Sequence, residues 1–186
     1  MGVFNFFGLF GGGRTERAGY ELYGEAVRAA RTPWFYSELG VPDTLDGRFD
    51  MVGLHAYLLI RRLSADPVGE PAAQKLSQAV FDAMFSDMDI NLRELGVSDL
   101  AVGKRVKTMW EAFHGRANAY AEAMKIGPES LADALARNLW PGERQDAAAA
   151  RLARLVYAQD AHLARRSLAQ IKARDGIFLP VEIAAS

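Results

Sequence analysis

The chain has 186 residues, 50% of them hydrophobic, and its 22 basic and 23 acidic residues leave a formal net charge of -1. That length accommodates one domain with a substantial buried core. The nearly neutral charge gives no overall field that would gather nucleic acid, so no DNA binding is expected, and the lack of cysteine excludes disulfides, thiolate metal sites and cysteine nucleophiles.

The first ten residues, MGVFNFFGLF, form an apolar segment that precedes three glycines. The segment lacks the basic start and the cleavage site of a secretory signal, and it has about half of the ~20 residues that a membrane-spanning helix needs. We predict a flexible apolar segment over residues 1–16. It either frays or folds back on the core, or it dips into a membrane interface. The hypothetical membrane contacts are Phe4, Phe6, Phe7 and Phe10.

Prolines and glycines divide the rest of the chain into lengths in which apolar residues recur every three or four positions. This spacing predicts helices over residues 20–30 and 49–63. A third helix, starting near Pro71, carries a stripe that we expect to be buried: Phe81, Met84, Phe85, Met88, Leu92 and Leu95. A fourth, which Ser98 or Asp99 could cap, carries Val102, Val106, Met109, Trp110, Phe113, Ala117, Tyr120 and Met124.

An alanine- and arginine-rich stretch over residues 143–174 is predicted to form one helix or two. No segment alternates convincingly between apolar and polar residues, so no sheet is expected. The predicted fold class is therefore all-α, a single-domain helical bundle over residues 17–175 with a C-terminal tail over residues 176–186.

The balanced total charge hides two oppositely charged parts of the sequence. Acidic residues crowd the middle of the chain: Asp82, Asp87, Asp89, Glu94 and Asp99. Basic residues dominate the final helical stretch. Between residues 151 and 174, Asp160 is accompanied by Arg151, Arg154, Arg165, Arg166, Lys172 and Arg174.

Patterns typical of catalysis or metal binding are missing from the sequence. The three histidines stand far apart, on three predicted helices, and none has a ligand partner one helical turn away. Residues 87–91 imitate the start of a calcium loop, but Leu92 and Ser98 replace its glycine and its glutamate. We expect no enzyme, no metal and no cofactor. A metal enzyme that uses His55 or His114 with the Asp87 cluster is the least favoured alternative.

The loop over residues 41–49, VPDTLDGRF, is the most unusual polar grouping. One interpretation is a rigid turn, in which aspartates accept hydrogen bonds from backbone amides and Arg48 pairs with a carboxylate. The other is a loop that docks a partner protein.

Several blocks of the chain, in order, resemble the ubiquinol–cytochrome c chaperone family. They are ARTPWFY at residues 30–36, the loop 41–49, Leu54-His55, VFD at 80–82 with Phe85, DMD at 87–89, LRELGV at 92–97, Asp99-Leu100, VGK at 102–104, and Gly115-Arg116 with Tyr120. The resemblance covers roughly residues 20–125. It departs from the family pattern at Ser98 and His114, and little of it lies beyond Pro128.

This resemblance implies an all-helical assembly factor for the cytochrome bc complex that binds newly made cytochrome b and catalyses nothing. Mitochondrial members work with a small partner protein near the ribosomal exit tunnel, so contact with a ribosome or such a partner stays open. The lack of a transit peptide favours a bacterial member that is cytoplasmic and peripheral to the inner membrane.

We expect an acidic face to receive the basic loops of the client. The residues nominated for it are Asp43, Asp46, Asp87, Asp89 and Glu94. The cations nominated as structural partners, or as contacts to ribosomal or lipid phosphate, are Arg48, Lys104, Arg105 and Arg116. The alternative function is a membrane-associated helical protein that binds lipid or another hydrophobic ligand.

Overall fold

The computed structural model describes residues 13–65 and 71–181, and all regular secondary structure within those ranges is helical. The helices are α1 (Arg14–Ala30), α2 (Trp34–Ser37), α3 (Leu45–Ser64), α4 (Pro71–Glu94), α5 (Asp99–Ile126), α6 (Pro128–Leu139), α7 (Asp146–Ala164) and α8 (Leu168–Ala173). The all-α prediction is confirmed.

The predicted helices are present, with shifted boundaries. The helix α1 begins six residues before the predicted start at residue 20. The helix α3 begins four residues early, because Thr44 accepts a hydrogen bond from the amide of Gly47 and caps the helix there. The alanine-rich stretch forms two helices, since Ser167 and Gln170 make a capping box that starts α8 anew.

The helix α3 is the centre of the bundle. Every residue from 51 to 59 is buried, so this helix is covered on all sides, as expected of a core helix. It packs against α1, α4, α5 and α7. The helix α1 also packs closely on α4, where a Cβ atom at Gly19 would lie only 2.6 Å from the backbone carbon of Ala79.

In the α4 stripe, Met84, Phe85, Met88 and Leu92 are buried as predicted and Phe81 is partly buried, but Leu95 is 64% exposed. The expectation that this last residue is buried was wrong, because α4 ends at Glu94 and the chain turns at Gly96, where φ is +80°. Trp110 of the α5 stripe is 40% exposed for a different reason, since it lies at the border of the buried face.

The last described residues pack on the bundle. Ile177 and Val181 are buried, and the Phe178 ring meets the edge of the His55 ring at a centroid distance of 5.1 Å. The buried carboxamide of Gln159 accepts a hydrogen bond from the Leu179 amide (2.9 Å) and donates one to the Leu179 carbonyl (2.8 Å). One side chain thus holds this extended segment against α7.

Candidate partner-binding surface

The loop before α3 forms a tight turn that two contacts hold in shape. A Cβ atom at position 47 would lie 2.0 Å from the Pro42 carbonyl oxygen, so only glycine fits the close approach of these two backbone segments. Thr44, rather than an aspartate, accepts the backbone hydrogen bond that caps the helix. The geometry of the rigid turn is therefore present, with threonine in the role that the sequence suggested for aspartate.

Asp43 and Arg48 form an ion pair across this loop, at 2.5 Å between Arg48 Nε and Asp43 Oδ1. The hydrogen bond from Arg48 lowers the pKa of the Asp43 carboxyl group. Asp46 is exposed and, among the described residues, has no ion-pair partner. Of these three charges, Asp46 is therefore the one that is most available to a partner.

Two of the nominated α4 carboxylates are engaged within the fold. Asp87 accepts a hydrogen bond of 2.7 Å from the Tyr23 hydroxyl of α1, and burial together with this bond raises the pKa of Tyr23. Asp89 pairs with Arg93 at 2.6 Å, and Arg93 also bridges to Asp99 at the start of α5. These contacts tie the end of α4 to its neighbours, but one cation, Arg93, is shared by Asp89 and Asp99, and the uncharged Tyr23 hydroxyl leaves the negative charge of Asp87 in place.

Glu94, the last residue of α4, differs from the other nominated acids of this helix. It is exposed, and within residues 13–65 and 71–181 it has no ion-pair partner. Asp46 and Glu94 are thus the two nominated carboxylates that are exposed and have no side-chain partner in the described structure.

Arg116 is partly buried and pairs with Asp50, an aspartate that the sequence analysis missed. Its Nη2 atom is 2.7 Å from Asp50 Oδ1, and its guanidinium group lies 6.0 Å from the centroid of the Phe49 ring. The contact is ionic but poorly aligned, because neither Asp50 Oδ1 nor Arg116 Nη1 makes a hydrogen bond. Burial raises the pKa of Asp50 to about 6, although the charge of Arg116 opposes that shift.

Asp50 follows an aromatic residue within an apolar helical stretch, and that burial pattern is the signal that could have identified it. Arg116 therefore makes an ion pair within the fold, as expected of a structural partner, which is one of the roles that the sequence left open for the nominated cations. Lys104 and Arg105 differ, because both are exposed on α5 and neither has a carboxylate partner among the described residues.

The three histidines lie apart and make contacts to backbone carbonyls. His55 Nδ1 is 2.8 Å from the Met51 carbonyl oxygen, and burial lowers the pKa of His55 to about 4. His114 Nδ1 is 3.1 Å from the Trp110 carbonyl oxygen, and His162 Nε2 is 2.7 Å from that of Gly176. In the part of the chain that the structure describes, no three His, Asp or Glu side chains are grouped as metal ligands would be.

Charged residues in the stretch 143–174 contact distant helices. Arg61 of α3 pairs with Asp160 of α7 at 2.9 Å, and Arg174 pairs with Glu21 of α1 at 2.9 Å. The guanidinium group of Arg151 lies 5.1 Å from the centroid of the Trp34 ring. Part of the positive charge in this stretch therefore has a structural role.

The nominated membrane contacts Phe4, Phe6, Phe7 and Phe10 lie outside the described residues. Among the helices of residues 13–65 and 71–181, none combines the length and the apolar character needed to span a bilayer.

A family model described as ubiquinol-cytochrome C chaperone matches residues 37–178. The match extends past residue 125, where the resemblance read from the sequence ended, and includes α6, α7 and α8. The crystal structure of the Cbp3 homolog from Brucella abortus has the same fold, with a TM-score of 0.80 and 34% sequence identity, over 90% of this chain and 92% of that one.

Two curated relatives agree with that match. The chain is 24% identical over 105 residues to ubiquinol-cytochrome-c reductase complex assembly factor 1 of Xenopus laevis, covering 56% of this chain and 51% of the relative. It is 28% identical over 113 residues to the mitochondrial protein CBP3 of Saccharomyces cerevisiae, covering 60% and 33% respectively. The chain thus spans about half of the first relative and a third of the second.

Proposed function

Because this chain belongs to the ubiquinol-cytochrome C chaperone family, we propose that it is a non-enzymatic assembly chaperone of the cytochrome bc complex. The observation that carries the proposal is the family match over residues 37–178, together with the shared fold of the Brucella abortus homolog. One relative is named as an assembly factor for the ubiquinol-cytochrome-c reductase complex. The proposed client is newly made cytochrome b, held before the complex is assembled.

The client is a membrane protein, and such proteins carry excess lysine and arginine in their cytoplasmic loops. The exposed carboxylates Asp46 and Glu94 supply complementary charge, because no neighbouring cation neutralises them in the described structure. Asp43, Asp87 and Asp89 are proposed to hold the loop and the end of α4 in shape, because each is paired within the fold. We place the protein in the cytoplasm, peripheral to the inner membrane.

The test is capture of the client by charge-reversal variants. The tagged full chain, with Asp46→Lys or Glu94→Lys, is crosslinked mildly in its native membranes and cytoplasm, and partners are identified by mass spectrometry. We expect roughly a fivefold or greater loss of recovered cytochrome b, because complementary charges at a rim act mainly on the association rate. Glu143→Lys is the matched control, since Glu143 is an exposed acid on the loop before α7.

Equal recovery of cytochrome b by Glu143→Lys and by both test variants would remove the acidic face from the proposal. Failure of the unsubstituted chain to enrich any bc-complex subunit would remove the assembly function itself. Enrichment of ribosomal proteins or of one small protein, without cytochrome b, would replace the client by that partner. Circular dichroism confirms in each case that the variant is folded.

A further inference from the structure

A cavity of about 270 Å³ lies beside the middle of α3, between the end of α1 and the C-terminal segment. Four consecutive residues of that segment, 178–181, form one of its walls. Since an apolar cavity of roughly 150 Å³ is large enough to bind benzene, this cavity has room for a single ring with a few substituents.

Most of the polar side chains that line the cavity are already paired within the fold. The Gln159 carboxamide is held by two hydrogen bonds to the Leu179 backbone. Thr32 donates its hydroxyl hydrogen to a carbonyl group of α1. Glu25 and Arg28 pair with each other, so their opposite charges offset one another. The lining therefore favours an uncharged ligand over a charged one.

The exception is His55, which lines the cavity from α3 and is 1% exposed. Its Nδ1 atom lies 2.8 Å from the Met51 carbonyl oxygen, and because a carbonyl group can only accept, Nδ1 carries the ring proton. Its Nε2 atom has no hydrogen-bond partner among the described residues. The unpaired side-chain atoms sealed from solvent in that part of the chain are Asp50 Oδ1 and Arg116 Nη1. Nε2 therefore borders accessible space, which the cavity provides.

This histidine defines the chemistry that the cavity can recognise. A ring nitrogen without a proton accepts a hydrogen bond, so Nε2 selects a ligand that donates one. Burial keeps the imidazole neutral, because it lowers the pKa of His55 to about 4. The Phe178 ring also lines the cavity, beside the His55 ring, and supplies an aromatic wall. The matching ligand is an uncharged ring that carries one hydrogen-bond donor.

We propose that this cavity binds a small, uncharged aromatic alcohol of the size of a monocyclic phenol. Its hydroxyl group donates a hydrogen bond to His55 Nε2, and its ring lies against Phe178. The occupant is a free compound, because the cavity has room for one ring. The site uses neither Asp46 nor Glu94, so it does not rest on the proposed function.

The experiment is a titration of the full chain with p-cresol, p-xylene and benzoate, followed by NMR of the histidine side chains. The first two compounds have nearly the same shape, but only p-cresol donates a hydrogen bond. We expect p-cresol to bind roughly tenfold more tightly than p-xylene, because it pairs a buried acceptor. The Nε2 resonance of His55 should shift with p-cresol alone. Benzoate is charged and has no donor at neutral pH, so it should not bind.

Two variants separate the hydrogen bond from the space in the cavity. His55→Phe keeps a ring but removes the acceptor, so it should abolish the preference for p-cresol over p-xylene. Ala29→Leu fills the cavity from α1 and should weaken the binding of both compounds roughly tenfold or more. Ala18→Leu is the matched control, because Ala18 is a partly buried residue of the same helix that does not line the cavity. It should leave binding unchanged.

Four outcomes would overturn the proposal. The full chain could fail to bind p-cresol, or p-cresol could show no advantage over p-xylene. A preference for p-cresol that survives in His55→Phe would remove the assigned hydrogen bond. Binding seen only in a chain that ends at Val181 would assign the cavity to the last residues of the chain itself. Tighter binding of N-acetyltyrosinamide than of p-cresol would assign it to a tyrosine side chain of a partner protein.

Discussion

At the scale of single residues, Asp50 is a buried carboxyl group whose side chain is poorly paired. It is 9% exposed, its contact with Arg116 is poorly aligned, and its pKa is raised to about 6. An unfolded aspartate has a pKa of about 3.9. The folded state therefore binds more protons than the unfolded state between these two values, so the contribution of Asp50 to stability falls as the pH rises through that window.

This difference predicts how Asp50→Asn changes the pH dependence of unfolding. The free energy of unfolding of the parent, relative to that of the variant, should fall by up to about 3 kcal/mol between pH 4 and pH 7, because two pKa units correspond to that amount. Urea denaturation at several pH values measures it. Subtracting the free energy of unfolding of the variant from that of the parent at each pH removes the contribution of the other titrating groups. A difference that is independent of pH would contradict the prediction.

The residue scale is also where prediction from sequence failed most. The sequence placed Asp50 in an apolar helix, but its partner Arg116 lies 66 positions later, and no local pattern indicates that two such residues meet. Arg48 was easier, because Asp43 lies five residues away in the same turn. An ion pair between residues that are close in sequence was predictable. An ion pair that depends on the packing of distant helices was not.

At the scale of elements, the sequence predicted the helices well because their signals are local. Pro71 begins α4 and Ser98 precedes α5, as expected from residue preferences at helix ends. Contacts between helices were not predictable in the same way. The close approach of α1 and α4 depends on Gly19, and nothing in the sequence distinguishes it from Gly24 on the same helix.

These two glycines make a matched test of the α1–α4 contact. A Cβ atom at Gly19 would lie 2.6 Å from the Ala79 backbone, whereas one at Gly24 meets nothing within 4 Å. Gly19→Ala should lower the free energy of unfolding by about 1–3 kcal/mol, because backbone must move apart. Gly24→Ala should raise it by roughly 0.5–1 kcal/mol through helix propensity. Thermal and urea unfolding of both variants measure these changes. A similar increase in the free energy of unfolding of both variants would show that α1 and α4 can move apart at no cost.

At the scale of the whole molecule, the C-terminal segment joins elements that are distant in sequence. Phe178 packs on His55 of α3, Gln159 of α7 holds Leu179, and Arg174 reaches Glu21 of α1. The sequence predicted a tail over residues 176–186, because the apolar residues there do not recur at helical spacing and so do not indicate that they are buried. Their packing on the bundle is a property of the assembled fold.

A chain that ends at Asp175 should therefore lose more than a tail. It would give up the burial of Ile177 and Val181 and leave the Gln159 carboxamide, only 1% exposed, without its hydrogen bonds, so we expect a loss of about 3–5 kcal/mol in the free energy of unfolding. The pKa of His55 should rise from about 4 toward its ordinary value, because removal of Phe178 lets water reach the ring. Urea unfolding and NMR titration of the histidine measure the two effects.

A chain that ends at Val181 is the control, since it keeps every described contact of the segment. Unchanged stability and an unchanged His55 pKa in the shorter chain would show that α1–α8 form the cooperative unit without residues 176–181.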